Sequence, residues 1–170
     1  MRESALSFVI EVPGLSELPY CLQAMRERGL PPHLTVLYPW VPAPLTAESV
    51  EAAARAVAGT GAIELVFDRL GTFPGGVVHA AVADPDAVVE LMGRVWSAFP
   101  DTPPYRGEFS DPVPHLTLAK CAPHELAETL AEIEEQTATL VPFSVTLTEL
   151  GVLEQGENGR WSVVNGVPLT

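Results

Sequence analysis

Short apolar segments of strand character alternate with helical patterns along the chain. Seven segments are rich in β-branched or aromatic residues and are bounded by glycine, proline or polar turns, a pattern typical of strands. They cover residues 4–12, 33–40, 63–70, 77–83, 115–121, 143–153 and 161–167. The Phe73-Pro74-Gly75-Gly76 turn predicts that the third and fourth strands form a hairpin.

Four stretches with apolar residues at helical spacing predict helices at residues 17–28, 47–58, 85–99 and 123–136. Gly29 and Gly59 follow the first two as stop signals, and Pro85 and Pro123 open the last two. This order of elements predicts an α+β (layered α/β) chain of about seven strands and four helices. A helix, a proline-bounded strand and a second helix occur once in each half, which indicates internal duplication.

Length and charge narrow the function classes. The 170 residues (18.2 kDa) fit a single compact domain, and a hydrophobic content of 47% excludes an intrinsically disordered protein. With 22 acidic and 9 basic residues, the net charge is −13. Coating long nucleic acid or docking on an anionic membrane requires many basic side chains, so neither is expected. The sequence shows neither a signal-peptide core nor a membrane-spanning stretch, and we expect a cytoplasmic protein.

Cysteine usage and ligand spacing give no sign of a metal or cofactor. The two cysteines, Cys21 and Cys121, do not form a disulfide framework and are interpreted as small buried side chains. The histidines, cysteines and carboxylates lack the spacing of a zinc site. Neither a P-loop nor a glycine-rich dinucleotide motif occurs. We therefore predict no metal site and no cofactor.

The two proline-bounded strands share a tetrapeptide pattern. Residues 33–36 read His-Leu-Thr-Val and residues 115–118 read His-Leu-Thr-Leu, each directly after a proline. Because residues i and i+2 of a strand point to the same face, His33 and Thr35 share one face. His115 and Thr117 do the same, while the intervening leucines point into a core.

Two such strands side by side would present two imidazoles and two hydroxyls to a common cleft. Imidazole titrates near neutral pH, so one histidine accepts a proton from water while the other donates one to a leaving alkoxide. Threonine hydroxyls donate hydrogen bonds to the non-bridging oxygens of a phosphate and favour the charge that builds there. The set fits metal-independent phosphoester chemistry, and the residues alone leave open which histidine takes which role.

The paired motifs resemble the signature of the two-histidine (2H) phosphoesterase superfamily, a His-x-Thr/Ser pattern flanked by apolar residues and occurring twice. Their separation, 115 − 33 = 82 residues, fits that family. Within it, the string over residues 32–39 is similar to the bacterial 2′-5′ RNA ligase-like branch. So are the Tyr105-x-Gly107-x-Phe109 segment and the terminal strand that begins at Trp161.

This resemblance covers nearly the whole chain and implies a fold and a reaction. The fold would be a single bilobal, pseudo-twofold domain over residues 1–170, with a central cleft between two sheets. Each lobe would contribute one motif strand. The implied reaction is hydrolysis of 2′,3′-cyclic phosphodiesters or related cyclic nucleotides, or the making and breaking of 2′-5′ linkages. The resemblance favours His115 as the group that activates water and His33 as the group that protonates the leaving oxygen.

Local charge bears on the size of the substrate. The segments around the motifs are nearly neutral, because basic residues there are matched by acidic neighbours: Arg26, Arg28 and Glu27 near the first, and Arg106, Lys120, Glu108 and Asp111 near the second. We therefore expect a small cyclic nucleotide or a short 2′-5′ linked oligonucleotide as ligand rather than long nucleic acid. A 2′-5′ RNA ligase or tRNA-processing enzyme and a non-catalytic nucleotide-binding module are the alternatives.

Five further residues are candidates for substrate binding. Tyr105 and Phe109 are suited to stacking on a base, and Arg106 and Arg160 to clamping a phosphate by the planar guanidinium. His79 lies in an apolar strand next to the predicted hairpin turn, from which it is expected to face the cleft.

Overall fold

The computed structural model describes residues 1–18 and 25–170. Much of the helix predicted at residues 17–28, and Cys21 with it, lies outside this described part. Leu15–Glu17 forms a 3-10 turn, and residues 25–28 are helical.

Eight strands and three complete α-helices occur in the described residues. The strands are β1 (Ser4–Val9), β2 (His33–Leu37), β3 (Ile63–Phe73), β4 (Val77–Val82), β5 (His115–Lys120), β6 (Phe143–Leu147), β7 (Glu149–Gln155) and β8 (Trp161–Pro168). The helices are α1 (Ala47–Val57), α2 (Asp86–Ala98) and α3 (Leu126–Thr137). Further 3-10 turns form at Pro104–Gly107 and Pro123–Glu125. None of the helices in the described residues is long and apolar enough to cross a membrane.

The strands form one antiparallel sheet in the order β6-β3-β4-β5-β2-β1-β7-β8. The two sheets that the resemblance implies are thus joined into one, by the pairing of β2 with β5. The predicted α+β class is confirmed, with α1, α2, α3 and the helical residues 25–28 as its four helices. The predicted hairpin of the third and fourth strands is present as β3 and β4. Strands β2 and β5, which carry the two motifs, meet at the centre of the sheet, with three strands beyond each.

The predicted strand count of seven is wrong by one, because residues 143–153 form two strands. β6 pairs with β3 at one edge of the sheet, whereas β7 pairs with β1 and β8 in the other half. Leu147 and Leu150 are both buried in the hydrophobic core. In an unbroken strand, residues three apart point to opposite faces. The break at Thr148 lets both leucines reach the core from different strands.

The core lies on one face of the central strands. Leu34 and Leu116 are fully buried, and Val36 and Leu118 are buried almost as completely. Helix α2 covers β2, and Trp96 on this helix donates its indole N–H to the Val36 carbonyl at 2.7 Å. Packing of the apolar face on helices leaves the other face of β2 and β5 for the polar side chains of the motifs.

Candidate active site

The pairing of β2 with β5 brings the two motifs together. Leu34 pairs with Leu116 in antiparallel register. This register places His33 opposite Thr117 and Thr35 opposite His115. All four side chains point away from the buried leucines and are only partly buried. Facing residues on neighbouring strands have Cβ atoms about 4.5–5.5 Å apart, so the motifs form a compact square of two imidazoles and two hydroxyls.

Both imidazoles are held by a backbone carbonyl two residues before them. The Nδ1 atom of His33 lies 2.7 Å from the carbonyl oxygen of Pro31, and that of His115 lies 2.7 Å from the carbonyl oxygen of Val113. A carbonyl only accepts, so Nδ1 carries the hydrogen and the neutral ring keeps the lone pair of Nε2.

The prolines that precede the motifs explain this shared geometry. Pro32 and Pro114 stand between each histidine and the residue whose carbonyl holds it. A residue before proline is restricted to extended backbone. The carbonyl orientation is therefore fixed by local sequence, and the two half-sites repeat it.

Burial lowers the pKa of both motif histidines. For His33, burial is the largest cause, and the charges of His115 and Lys120 lower its pKa further. The pKa of His115 is also lowered by burial and by Lys120. The hydrogen bonds to the carbonyl groups of Pro31 and Val113 raise the pKa of the two histidines, because a carbonyl oxygen stabilises an imidazolium. Two positive charges on the pair are disfavoured, and a single proton between an acid and a base is the form suited to catalysis.

His79 lies on β4, beside the second motif. It pairs with Thr117 across β4 and β5, and its side chain is buried. The His79 ring stacks on Phe73 with centroids 4.3 Å apart, and it meets the His115 ring edge-on at 5.4 Å. Phe73 also contacts the His115 ring, with centroids 4.9 Å apart. The sequence interpretation missed Phe73, because the Phe-Pro-Gly-Gly pattern predicts a turn at this position.

Tyr105 lies beside the first motif. Its hydroxyl and that of Thr35 share a hydrogen bond, and its backbone N–H donates to the Tyr38 carbonyl at 2.6 Å. Burial raises the pKa of Tyr105, so its hydroxyl stays protonated at neutral pH. Phe109, which is exposed, contacts the Tyr105 ring edge-on at 5.5 Å.

The backbone at Tyr105 is unusual. Tyr105 and Arg106 have φ values of 50° and 56°, in the left-handed region that non-glycine residues rarely adopt. Conformations of this kind persist where surrounding contacts hold them, and they cluster at functional sites. Here the contacts with Thr35 and Tyr38 hold the loop against the first motif.

The two arginines singled out in the sequence are engaged elsewhere. The Arg106 guanidinium forms an ion pair with Glu3 and lies 5.7 Å from the centroid of the Tyr38 ring. Arg160 donates hydrogen bonds to the carbonyl oxygens of Glu27 at 2.7 Å and Arg26 at 3.2 Å. Neither set of contacts involves the four motif side chains.

Lys120 supplies a cation near the motifs. It is exposed at the end of β5, and its charge lowers the pKa of both His33 and His115. The sequence interpretation counted it only in the charge balance, because a residue five positions after His115 is expected on the opposite face of a regular strand. The register of β4 and β5 shifts between His115 and Lys120, and the sequence gives no signal for this shift. Across residues 1–18 and 25–170, no group of three His, Cys, Asp or Glu side chains is placed to hold a metal ion.

The family model described as the 2′-5′ RNA ligase superfamily matches residues 23–159, which is most of the chain. No curated protein sequence matches the chain significantly.

Solved structures share the fold over almost their entire length. E. coli LigT complexed with 3′-AMP has 19% sequence identity and a TM-score of 0.59, and the match covers 99% of this chain and 98% of that one. The complex of E. coli LigT with NADP+ gives 18% identity and a TM-score of 0.60 at the same coverage. The protein TT0787 of Thermus thermophilus gives 16% identity and a TM-score of 0.63, again over 99% and 98% of the two chains.

Proposed function

This chain belongs to the 2′-5′ RNA ligase superfamily, and from that premise we propose that it is a metal-independent phosphodiesterase acting on a small 2′,3′-cyclic or related cyclic nucleotide. The observation that carries the proposal is the square of His33, Thr35, His115 and Thr117 on adjacent central strands. In both histidines Nδ1 is held by a carbonyl, which leaves Nε2 for proton transfer.

The proposed reaction uses one proton on the histidine pair. Neutral His115 accepts a proton from water at Nε2 as the water oxygen forms a bond to phosphorus. The bond from phosphorus to one ribose oxygen breaks, and protonated His33 gives its Nε2 proton to that oxygen. The product is a phosphomonoester and the proton count on the pair is unchanged. The direction of transfer between His33 and His115 follows the family resemblance.

The threonines are proposed to hold the phosphoryl group. Thr35 and Thr117 donate hydroxyl hydrogen bonds to the two non-bridging oxygens, where negative charge grows as water attacks. Thr35 exchanges its contact with Tyr105 for one with the phosphate. Lys120 adds a positive charge to the field at the site. These contributions stabilise charge in the transition state without a metal ion.

A small substrate is favoured over a long one. The chain carries a net charge of −13, which opposes the approach of a polyanion. E. coli LigT, which shares the fold, has been crystallised with 3′-AMP and with NADP+, both small nucleotides. Of the basic side chains considered for phosphate binding, Arg106 is paired with Glu3 and Arg160 with backbone carbonyls.

The proposal is tested by a substrate panel in the presence of EDTA, with product identity read by ³¹P NMR. The panel contains 2′,3′-cyclic nucleotides of the four bases, ADP-ribose cyclic phosphate and 2′-5′ linked dinucleotides. We expect hydrolysis of at least one cyclic phosphate, unaffected by the chelator. Formation of 2′-5′ linkages together with salt-sensitive tRNA binding would favour the ligase alternative. Binding measured by calorimetry without turnover over hours would favour the binding-module alternative.

The pH dependence of kcat/KM follows from the lowered pKa values of the pair. Both histidines titrate below their ordinary value of 6.5 in the free protein. The active form carries one proton, and above the higher of the two pKa values that proton is lost. We therefore expect kcat/KM to be maximal below about pH 6.5 and to fall roughly tenfold per pH unit at higher pH. Initial rates over a series of pH values at constant ionic strength measure the profile, and a maximum above about pH 7.5 would contradict it.

Stability at each pH is the control for this profile. Histidines in the unfolded chain bind protons near 6.5, whereas His33, His79 and His115 bind them at lower pH in the folded protein. The unfolded state therefore gains more protons below about pH 6.5, and stability falls as the pH falls. Thermal unfolding at each pH separates this loss from the kinetic profile.

A further inference from the structure

His79 is a buried polar residue whose environment destabilises the folded protein. Its side chain is only 5% exposed, and its Nδ1 atom is fully buried without a hydrogen-bond partner in the part of the chain that the structure describes. A buried polar atom without a partner destabilises the fold, so its presence needs an explanation. A phenylalanine would fill a similar space without this cost, which suggests that the polar ring has a use.

The surroundings of His79 keep the ring uncharged. Burial is the main cause of its lowered pKa, and the charges of His115 on β5 and Arg69 on β3 lower the pKa further. The backbone of Ala80 has the opposite effect and raises the pKa. Lys120 on β5 and His33 on β2 are linked electrostatically to the motif pair, not to His79 itself. Burial and the neighbouring positive charges therefore favour the neutral imidazole over the imidazolium at His79.

Contacts join His79 to His115. The two rings lie 5.4 Å apart between centroids, and Phe73 touches both, stacked on His79 and edge-on to His115. On the other side, a Cβ atom added to Gly71 would lie 2.6 Å from the Cε1 atom of His79. The His79 ring is thus confined between the β3 backbone and the rings of Phe73 and His115.

Among the described residues, His33 in the first motif has no counterpart of the Phe73 and His79 rings that contact His115. Ser7 on β1 pairs with Thr35 as His79 on β4 pairs with Thr117, so the two positions correspond in the pseudo-symmetric sheet. The small serine side chain cannot pack against His33 as an imidazole packs against His115. This asymmetry singles out His115 as the histidine with an aromatic support.

We propose that His79 is a positioning residue for His115, a role that rests on the proposed phosphodiesterase function. With Phe73 it forms a wall that fixes the His115 ring, and its neutral imidazole provides a polar neighbour for the imidazolium that forms there during turnover. A phenyl ring would supply the wall and lack the polarity.

The main test compares His79→Phe with His79→Asn in the full chain. In His79→Phe we expect kcat to fall roughly tenfold with KM within about twofold, while Tm is unchanged or higher because the unpartnered nitrogen is gone. The His115 titration, followed by NMR of its Cε1 proton, moves to lower pH by roughly half a unit or more. His79→Asn places a polar group near the position of Nδ1, and we expect it to restore the His115 titration.

A second variant moves the His79 ring without changing it. Gly71→Ala places a methyl group against His79, and we expect at least a roughly fivefold loss of kcat and a shifted His115 titration. Gly75→Ala in the same hairpin is the matched control, because its Cβ meets no atom of the described chain within 4 Å. We expect this control to behave as the wild type.

The outcomes separate this proposal from the proposed function. Wild-type kcat and an unchanged His115 titration in both His79→Phe and Gly71→Ala would overturn the positioning role, whatever the substrate. A shifted titration in a protein that hydrolyses none of the cyclic phosphates would support the coupling of His79 to His115 and overturn the phosphodiesterase. If His79→Phe fails to fold, kcat and the His115 titration of Gly71→Ala test the positioning role.

Discussion

His33→Ala and His115→Ala should each lower kcat for a cyclic nucleotide by about 10²–10⁴-fold, the range over which a positioned acid or base contributes. Each variant removes one of the two Nε2 atoms that carry the proton. The paired variant should lose little more than the worse single variant, because the two groups act as a unit and their effects are not additive. Steady-state kinetics of the three variants measures both points.

The fold should survive these substitutions. Both side chains are partly exposed on the open face of the sheet, and the core of β2 and β5 is made by the leucines that alternate with them. His115→Asn is a useful companion, because its amide can still donate to the Val113 carbonyl while offering no base at Nε2. Full activity in both alanine variants would contradict the mechanism. Replacement of the exposed His124, outside the motifs, is the control and should leave kcat unchanged.

Leu116→Ala should lower the free energy of unfolding by about 2–5 kcal/mol, the usual cost of deleting a fully buried leucine. Leu116 is 0% exposed and pairs with Leu34 where the two halves of the sheet meet. The cavity would open between the two motif strands, and kcat/KM should fall in the molecules that remain folded. Urea denaturation of the wild type and the variant gives the change in free energy.

The matched control for this measurement is a surface position of the same sheet. Val163 on the edge strand β8 is 47% exposed, and Val163→Ala should change the stability by less than about 0.5 kcal/mol. A change below about 1 kcal/mol in Leu116→Ala would show that the junction of the two halves does not depend on this contact. Activity loss without destabilisation would instead indicate that the leucine acts only through the motif geometry.

Much of the central site was predictable because strand periodicity is a local property. Alternation along β2 and β5 fixes which side chains share a face, and the repeated His-x-Thr pattern then defines the chemistry. The proline before each motif fixes the carbonyl that holds Nδ1, again through local backbone restriction. The motifs fit a common cleft if their two strands lie side by side, and the sheet order shows β2 next to β5. The register that pairs Leu34 with Leu116 was not predicted.

Features that depend on distant pairing were not predictable in this way. The break between β6 and β7 has no turn signal, since Thr148 is a strand-compatible residue, and it results from pairing with opposite halves of the sheet. The contacts of Phe73 with His115 require the register of β3, β4 and β5 together. The left-handed backbone of Tyr105 occurs together with its contacts to Tyr38 and Thr35, and the Tyr-Arg sequence gives no signal for positive φ.

Hydrolysis of a 2′,3′-cyclic nucleotide in H₂¹⁸O with EDTA, followed by ³¹P NMR, tests the central claim most directly. We predict that the wild-type protein forms a phosphomonoester containing one ¹⁸O atom per turnover, because water attacks phosphorus once. His33→Ala and His115→Ala should form no detectable product in the same time. Absence of turnover in the wild type on every cyclic nucleotide, or turnover that survives in both variants, would contradict it.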